Sequence, residues 1–286
     1  MKIYIVADME GIGGIVRPEQ VLKGNPEYDE ARRLLIREVD AVVEGALAGG
    51  ATHVVVKDAH ADGFNFPPEE LHPAAEYIMG TPHPGRFPDL DETVNGVFLV
   101  GYHAMAGTPA AVRDHTYSSR DWQAFYLNDR QMGEVGIDAS IAGYYGVPVL
   151  LVTGDDKVCA EARGLLGEVV TARVKTGIAR HCARLLPPAR VRDLVREKAR
   201  AAMELIGQVP PLRHSVPVSV KIRYTGTEIA DGIRACWKDG AGDAAGEAET
   251  AKVKAAGVDG VEILRLDGQT VLYEGNNLLD VLHQAL

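Results

Sequence analysis

The 286-residue sequence predicts an α/β protein: a three-layer α/β/α domain with a mainly parallel sheet, followed by a smaller α+β domain. Three observations predict it. Short runs rich in β-branched residues recur at 3–6, 54–56, 97–100 and 148–152, apolar on both faces, as strands covered on each side read. Stretches with helical spacing alternate with them, and that alternation marks a parallel sheet with helices on its faces. Past Pro210 and Pro211 the grammar changes to an alternating strand, a short helix and a hairpin.

The first strand lies in KIYIVADMEGIGG at 2–14 and runs straight into Asp8 and Glu10. In open parallel sheets ligands gather beyond the carboxyl ends of the strands, so both acids stand where chemistry is expected. The plainer reading is a loop whose acids cap backbone donors. Gly11, Gly13 and Gly14 invite a dinucleotide-binding reading, but the third glycine of GxGxxG would fall at Val16, so the fingerprint fails. The glycines read instead as a sharp turn that keeps side chains clear of the two acids and leaves room for metal and substrate. Asn25 and Pro26 then mark a helix start, and Leu34, Leu35, Val39, Val42, Val43, Ala46 and Leu47 recur at helical spacing until Gly49.

The second strand, 54–56, leads into Asp58, Ala59 and His60, and the third, 97–100, delivers Gly101, Tyr102 and His103. Between them 64–88 is a proline-rich excursion with a short strand at 77–79. The stretch 104–128 has little periodicity and holds Arg113, Asp114 and His115, as a loop over the sheet would. A strand at 125–127, a turn at Asn128 and Asp129, and a helix opening at Gly133 follow, which puts Glu134 in a helix's first turn. The strand 148–152 ends in Thr153, Gly154, Asp155 and Asp156 before a helix at 160–166; a strand at 169–174 and helices at 178–186 and 189–206 complete a first domain, 1–208. The second domain, 209–286, comprises a strand at 216–224, a helix at 228–237, a hairpin of 261–266 with 270–273 around Asp267 and Gly268, and a helix at 278–286. Residues 238–257, rich in Ala, Gly, Asp and Glu, read as a loop.

Composition narrows the function classes. A chain with 46% apolar residues can fill a real core, and its net charge of −10, with the basic residues scattered, argues against nucleic acid as a partner. The amino terminus enters a strand at once and no apolar run approaches a membrane span, so no membrane role and a cytoplasmic location are expected. Cys159, Cys182 and Cys236 are far apart and odd in number, which suggests neither a disulfide framework nor a thiolate zinc site.

Collected from the ends of separate elements, the candidate ligands are Asp8, Glu10, His60, His103 and Glu134, with His115 near in sequence terms only. Two imidazoles and three carboxylates suit zinc; manganese or cobalt would also fit. One catalytic zinc takes three protein ligands and leaves a position for water, whereas two ions sharing a carboxylate would use all five. Each residue alone has a structural reading: a lone histidine after a strand is more often a hydrogen-bonded structural residue, and an acid at a helix start is favoured by the macrodipole. His53, His72, His83, His181, His214 and His283 are left under it. Asp58, Asp155 and Asp156 share the placing beyond strands and could orient histidines or cap helices.

Taken in order, DMEG at 8–11, DAH at 58–60, GYHA at 101–104, Asp114 with His115, Asn128 with Asp129, Gly133 with Glu134, and GDD at 154–156 resemble the D-aminopeptidase family, peptidase family M55. The resemblance implies that Asp8, Glu10, His60, His103 and Glu134 bind two zinc ions with Asp8 bridging, and that His115 is catalytic. It also implies a homo-oligomer, a ring-shaped decamer with active sites facing an inner channel. The expected activity is release of the N-terminal residue, a D-amino acid, from short peptides by attack of a water activated between the two metals. His115 would act as general acid or base, or hydrogen-bond the tetrahedral intermediate. The rival expectations are a peptide-binding protein serving uptake without turnover, and a dinuclear phosphoesterase. Against the latter stand the missing phosphate-cradling glycine loop and the lack of a basic cluster.

Overall fold

The computed structural model describes residues 1–82, 85–233, 235–237 and 260–286, so His83 and the expected loop at 238–257 lie outside the described residues. In chain order the elements are β1 (Lys2–Ala7), α1 (Pro26–Ala48), β2 (His53–Asp58), β3 (Glu76–Ile78), β4 (Gly96–Tyr102), β5 (Trp122–Leu127), β6 (Arg130–Gln131), α2 (Glu134–Tyr144), β7 (Val149–Asp155) and α3 (Asp156–Leu166). They continue as β8 (Val170–Ala179), β9 (Cys182–Leu185), α4 (Pro188–Ala202), β10 (Val218–Tyr224), α5 (Thr227–Asp231), β11 (Cys236–Trp237), β12 (Glu262–Arg265), β13 (Thr270–Gly275) and α6 (Leu278–Ala285). The chain divides into two units, Met1–Asp114 with Glu134–Leu212, and His115–Gly133 with Arg213–Leu286.

In the first unit a seven-stranded sheet runs in the order β3-β2-β1-β4-β7-β8-β9, parallel throughout except for the last pair. From β1 the chain winds one way to β2 and β3, then returns to lay β4, β7 and β8 on the other side. The order therefore reverses between β1 and β4, and such a switch point opens a crevice beyond the strand ends. Ile3, Ile5 and Ala7 of β1 share a buried core with Leu35, Val39 and Val42 of α1 and Val191, Val195 and Ala199 of α4. Each Ile, Leu or Val among them contributes roughly 1.5–3 kcal/mol of transfer free energy. The helices α1 and α4 cross closely: a Cβ at Gly45 would run into the Arg196 carbonyl.

One expected helix is not there. Residues 178–186 form instead the end of β8 and the edge strand β9, with Ala179 paired to Cys182 across a turn at Arg180 and His181. Ile178 and Leu185 are exposed, so the apolar spacing that reads as a helix has no core to bury against. The turn is tied elsewhere, because the Arg180 carbonyl accepts the Arg113 N–H at 3.0 Å and its guanidinium pairs with Asp114.

The second unit holds a six-stranded sheet, β11-β12-β13-β10-β5-β6, antiparallel except between β11 and β12. Its buried residues include Phe125, Leu127, Val220, Ile222, Val271 and Tyr273 on the strands and Val281 and Leu282 on α6. Residues 115–133, which the sequence reading keeps in the first domain, supply β5 and β6 here because β5 pairs with β10, a long-range match that local spacing does not reveal. The helix expected over 228–237 stops at Asp231, and Cys236 and Trp237 pair in parallel with Leu264 and Arg265. Asn128 and Asp129, both at positive φ (46° and 62°), make the tight turn between β5 and β6. Among the described residues, no helix is long and apolar enough to cross a membrane.

Candidate metal centre

Backbone ladders carry three strand ends past their last paired residues. Asp8 N–H donates to Val100 O at 2.8 Å, Gly11 N–H to Gly101 O at 2.7 Å, and Ala59 N–H to Ala7 O at 2.8 Å. The chain ends of β1 and β4 approach so closely that only glycine fits: Gly101 sits at φ +72°, and a Cβ at Gly11 would run into the Tyr102 carbonyl. Gly11 thus makes room for backbone, which corrects its expected part in leaving space for metal and substrate.

These ends bring together Asp8, Glu10, His60, His103 and Glu134, all within the first unit. Asp8, Glu10, His103 and Glu134 are at most 7% exposed. His60 Nε2–H donates to the Val21 carbonyl at 2.9 Å, which leaves Nδ1 facing Asp8 Oδ1 at 3.1 Å and Glu10 Oε2 at 3.0 Å. His103 Nδ1–H donates to the Ala104 carbonyl at 3.1 Å, which leaves Nε2 facing Asp8 Oδ2 at 3.4 Å and Glu134 Oε1 at 3.3 Å. A carbonyl can only accept, so in the neutral rings the nitrogen turned to the acids is the one with the lone pair. Asp8 gives one oxygen to each imidazole.

The sequence profile of the D-aminopeptidase family matches residues 1–241. The chain belongs to the D-aminopeptidase family. It is 40% identical over 215 residues to the D-aminopeptidase of Bacillus subtilis (strain 168), covering 74% of this chain and 77% of that protein. The fold superposes on the solved structure of the Zn-dependent D-aminopeptidase DppA from Bacillus subtilis, described as a self-compartmentalizing protease, with a TM-score of 0.86 at 32% identity. That match covers 100% of this chain and 95% of the DppA chain.

Electrostatics show what this cluster asks for. Burial and the neighbouring Glu10 push the Asp8 carboxyl up to about 6. Burial works against charge on His103, but Glu134 and Asp8 outweigh it and raise the imidazole to about 10. His60 is likewise raised well above its ordinary value, Glu10 and Asp8 outweighing burial. A lone pair aimed at two carboxylate oxygens is stable only with a positive charge between them, either a proton or a metal ion. Asp8 Oδ2, buried, accepts no hydrogen bond among the described residues. Imidazole nitrogens and carboxylate oxygens around such an atom are a donor set that fits zinc.

Sequence reasoning missed the residues that hold these side chains. Asp138, one turn after Glu134 on α2, receives Nε and Nη2 of Arg86 at 3.1 Å each and the Tyr102 hydroxyl; the same Nη2 lies 3.7 Å from Glu134 Oε2. Arg113 Nη2 lies 3.8 Å from Glu10 Oε1. Asn65, fully buried, donates from Nδ2 to Asp58 Oδ1 at 2.8 Å and to the His60 carbonyl at 2.7 Å, and accepts from the Tyr28 hydroxyl at 2.6 Å. An acid inside an otherwise small and apolar helix, as Asp138 is in α2, where every residue from Glu134 to Gly143 is buried, was the available signal. Arg86 and Asn65 lie in the proline-rich excursion and carried none.

The three acids whose role the sequence leaves open are engaged in backbone contacts. Asp58 accepts from Asn65 N at 2.5 Å and His60 N at 3.3 Å. Asp155 caps α3 through Lys157 N and Val158 N, both at 2.9 Å, and takes Val112 N at 2.8 Å. Asp156 takes Gly177 N at 2.8 Å. Of the other histidines, His53 forms a surface pair with Glu76 at 3.4 Å, and His72 Nδ1 accepts Ala74 N–H at 3.2 Å. His115 is half-buried in a loop and opens the second unit, one residue after Asp114.

Proposed function

We propose that this protein is a zinc-dependent aminopeptidase that releases the N-terminal residue, a D-amino acid, from short peptides at a site holding two zinc ions. The observation that carries it is the placement of Asp8, one oxygen toward His60 and the other toward His103, in a member of the D-aminopeptidase family whose solved relative is zinc-dependent. In this reading Asp8 would be shared by two metal positions, one held with Glu10 and His60 and the other with His103 and Glu134. Divalent ions held by these residues would supply an activated water and a Lewis acid for the scissile carbonyl.

The chain's own residues do the rest. Carbonyls of Val21 and Ala104 fix the tautomer and rotation of the two imidazoles, so no reorganisation is needed when a ligand arrives. Arg86 and Arg113 place positive charge beside Glu134 and Glu10, at 3.7 and 3.8 Å. His115 moves a proton between water and the departing amine, or hydrogen-bonds the developing oxyanion. Self-compartmentalisation in the Bacillus subtilis relative supports a homo-oligomer here too, with the ring-shaped decamer as its proposed form and the cytoplasm as its proposed compartment.

Metal analysis paired with activity separates the classes. The purified protein is expected to carry about two zinc ions per subunit and to hydrolyse D-Ala-D-Ala faster than an L-peptide. A metal-loaded protein that turned over only a phosphoester, or bound peptide without cleaving it, would sink the proposal.

A further inference from the structure

Lys175 is a buried lysine that none of the chemistry above uses. It lies in β8, is 1% exposed, and directs its ammonium at three backbone carbonyls: Glu10 O at 2.6 Å, Ile12 O at 2.9 Å and Ile15 O at 2.5 Å. An ammonium has three N–H donors, so its hydrogen-bonding capacity is filled. All three carbonyls belong to the loop leaving β1, 160 to 165 residues earlier in the chain. Among the described residues Lys175 makes no salt bridge, although burying a cation without one is costly. The same loop is held in the opposite sense by Glu38, a buried acid on α1 that accepts the Gly13 N–H at 2.9 Å. A cation thus holds the loop's carbonyls and an anion one of its N–H groups.

The loop holds one half of the cluster. Asp8 is fixed by the β1–β4 ladder, His103 by Ala104 O, and Glu134 by its place at the start of α2. Glu10 lies beyond the strand, and Lys175 grips its own carbonyl. We propose that Lys175 is the positioning residue of Glu10: by fixing the carbonyls of residues 10, 12 and 15 it sets the Glu10 carboxylate against His60. It thereby governs the affinity of one metal position and not the other. The inference rests on the two-zinc reading above.

The test is zinc binding to the full-length protein, measured by competition with a chromophoric chelator, for the unaltered chain and for Lys175→Met. The unaltered chain is expected to bind two ions. Lys175→Met should keep one at unaltered affinity and bind the other about 10–100-fold more weakly, as expected when an outer partner of a ligand is lost. Both affinities unchanged, with only a lower melting temperature, would make Lys175 a merely structural residue and overturn the inference; so would equal weakening of both. Should the methionine variant fail to fold, Lys175→Arg keeps the cation but cannot donate to all three carbonyls from a single nitrogen. It should weaken the same single ion by a smaller factor, and two unaltered affinities would again overturn the inference. If the unaltered chain itself bound fewer than two ions, the two-zinc reading would fail, and the inference with it.

Discussion

The two halves of the acid cluster are held by different means. His103 follows directly on the last residue of β4 and Glu134 opens α2, and their support is a compact group of Arg86, Asp138 and Tyr102. His60 and Glu10 sit on loops, and besides the backbone bonds of Gly11 and Ala59 and the nearby Arg113 their support is a set of long-range bonds between side chains and backbone made by Asn65, Lys175 and Glu38, and by the Val21 carbonyl. A secondary element positions a ligand through its own geometry, whereas a loop must be fixed from outside. The loop half should therefore be the one that distant substitutions disturb, and Asp8, common to both, the residue whose loss erases the distinction.

The largest effect is expected at Asp8. Asp8→Asn should lower zinc content at both positions and cut kcat/KM by well over the roughly 100-fold that loss of an outer partner costs. Loss at one position only would break the comparison by removing the bridge. Next in size, His60→Ala should strip zinc from the loop half alone. By contrast, His115→Ala should retain both ions and lower kcat by roughly 10²–10⁴-fold, the usual worth of a general acid or base. Equal metal loss in these two variants, read by elemental analysis, would move His115 in among the ligands. On the other half, Asp138→Asn releases Arg86 and should weaken zinc there by about 10–100-fold in a chelator titration, leaving the loop half intact. The smallest effect belongs to stability: Asn65→Ala leaves the buried Asp58 carboxylate short of a donor and should cost about 1–3 kcal/mol in denaturant unfolding.

Protonation sharpens the comparison from another side. In the chelated protein His103 is raised from 6.5 to about 10, so its stabilising contribution is complete below pH 6.5 and is lost as pH rises through 10. His60, also raised, acts in the same direction. Melting temperature of the chelated protein should therefore fall between neutral pH and pH 10, while zinc, which needs the deprotonated rings, should bind more tightly over the same range. A flat melting profile in calorimetry would mean that neither imidazole is charged in the absence of metal.

What the sequence shows of this molecule follows what is local. Strands such as VVV at 54–56 and VFLV at 97–100 announce themselves by β-branching and length, and a polar residue just past each stands out. The helices α1 and α4 carry their apolar stripes openly, and the turns at Asn128 and Asp267 carry their own residue types. Less visible is what one element does to another. Lys175 and Arg173 sit two apart in β8, yet a register shift against β7 between them leaves one buried under a loop and the other exposed, and nothing in TARVKTG announces that shift. Glu38 did leave a trace, an acid on the same stripe as Leu35, Val39 and Val42, but the stripe alone does not say that it meets Gly13. Residues 178–186 read as a helix because apolar spacing in so short a segment suits either structure, and the pairing of β9 with β8 decided it.

The central claim is that Asp8 joins two metal positions, one on loops and one on regular structure. An anomalous-scattering map from crystals of the zinc-loaded protein tests it most directly. Two peaks about 3.5–4 Å apart are expected, one beside His60 and Glu10, the other beside His103 and Glu134, with the Asp8 carboxylate between them. A single peak, or a pair that leaves Asp8 on one side, would contradict it.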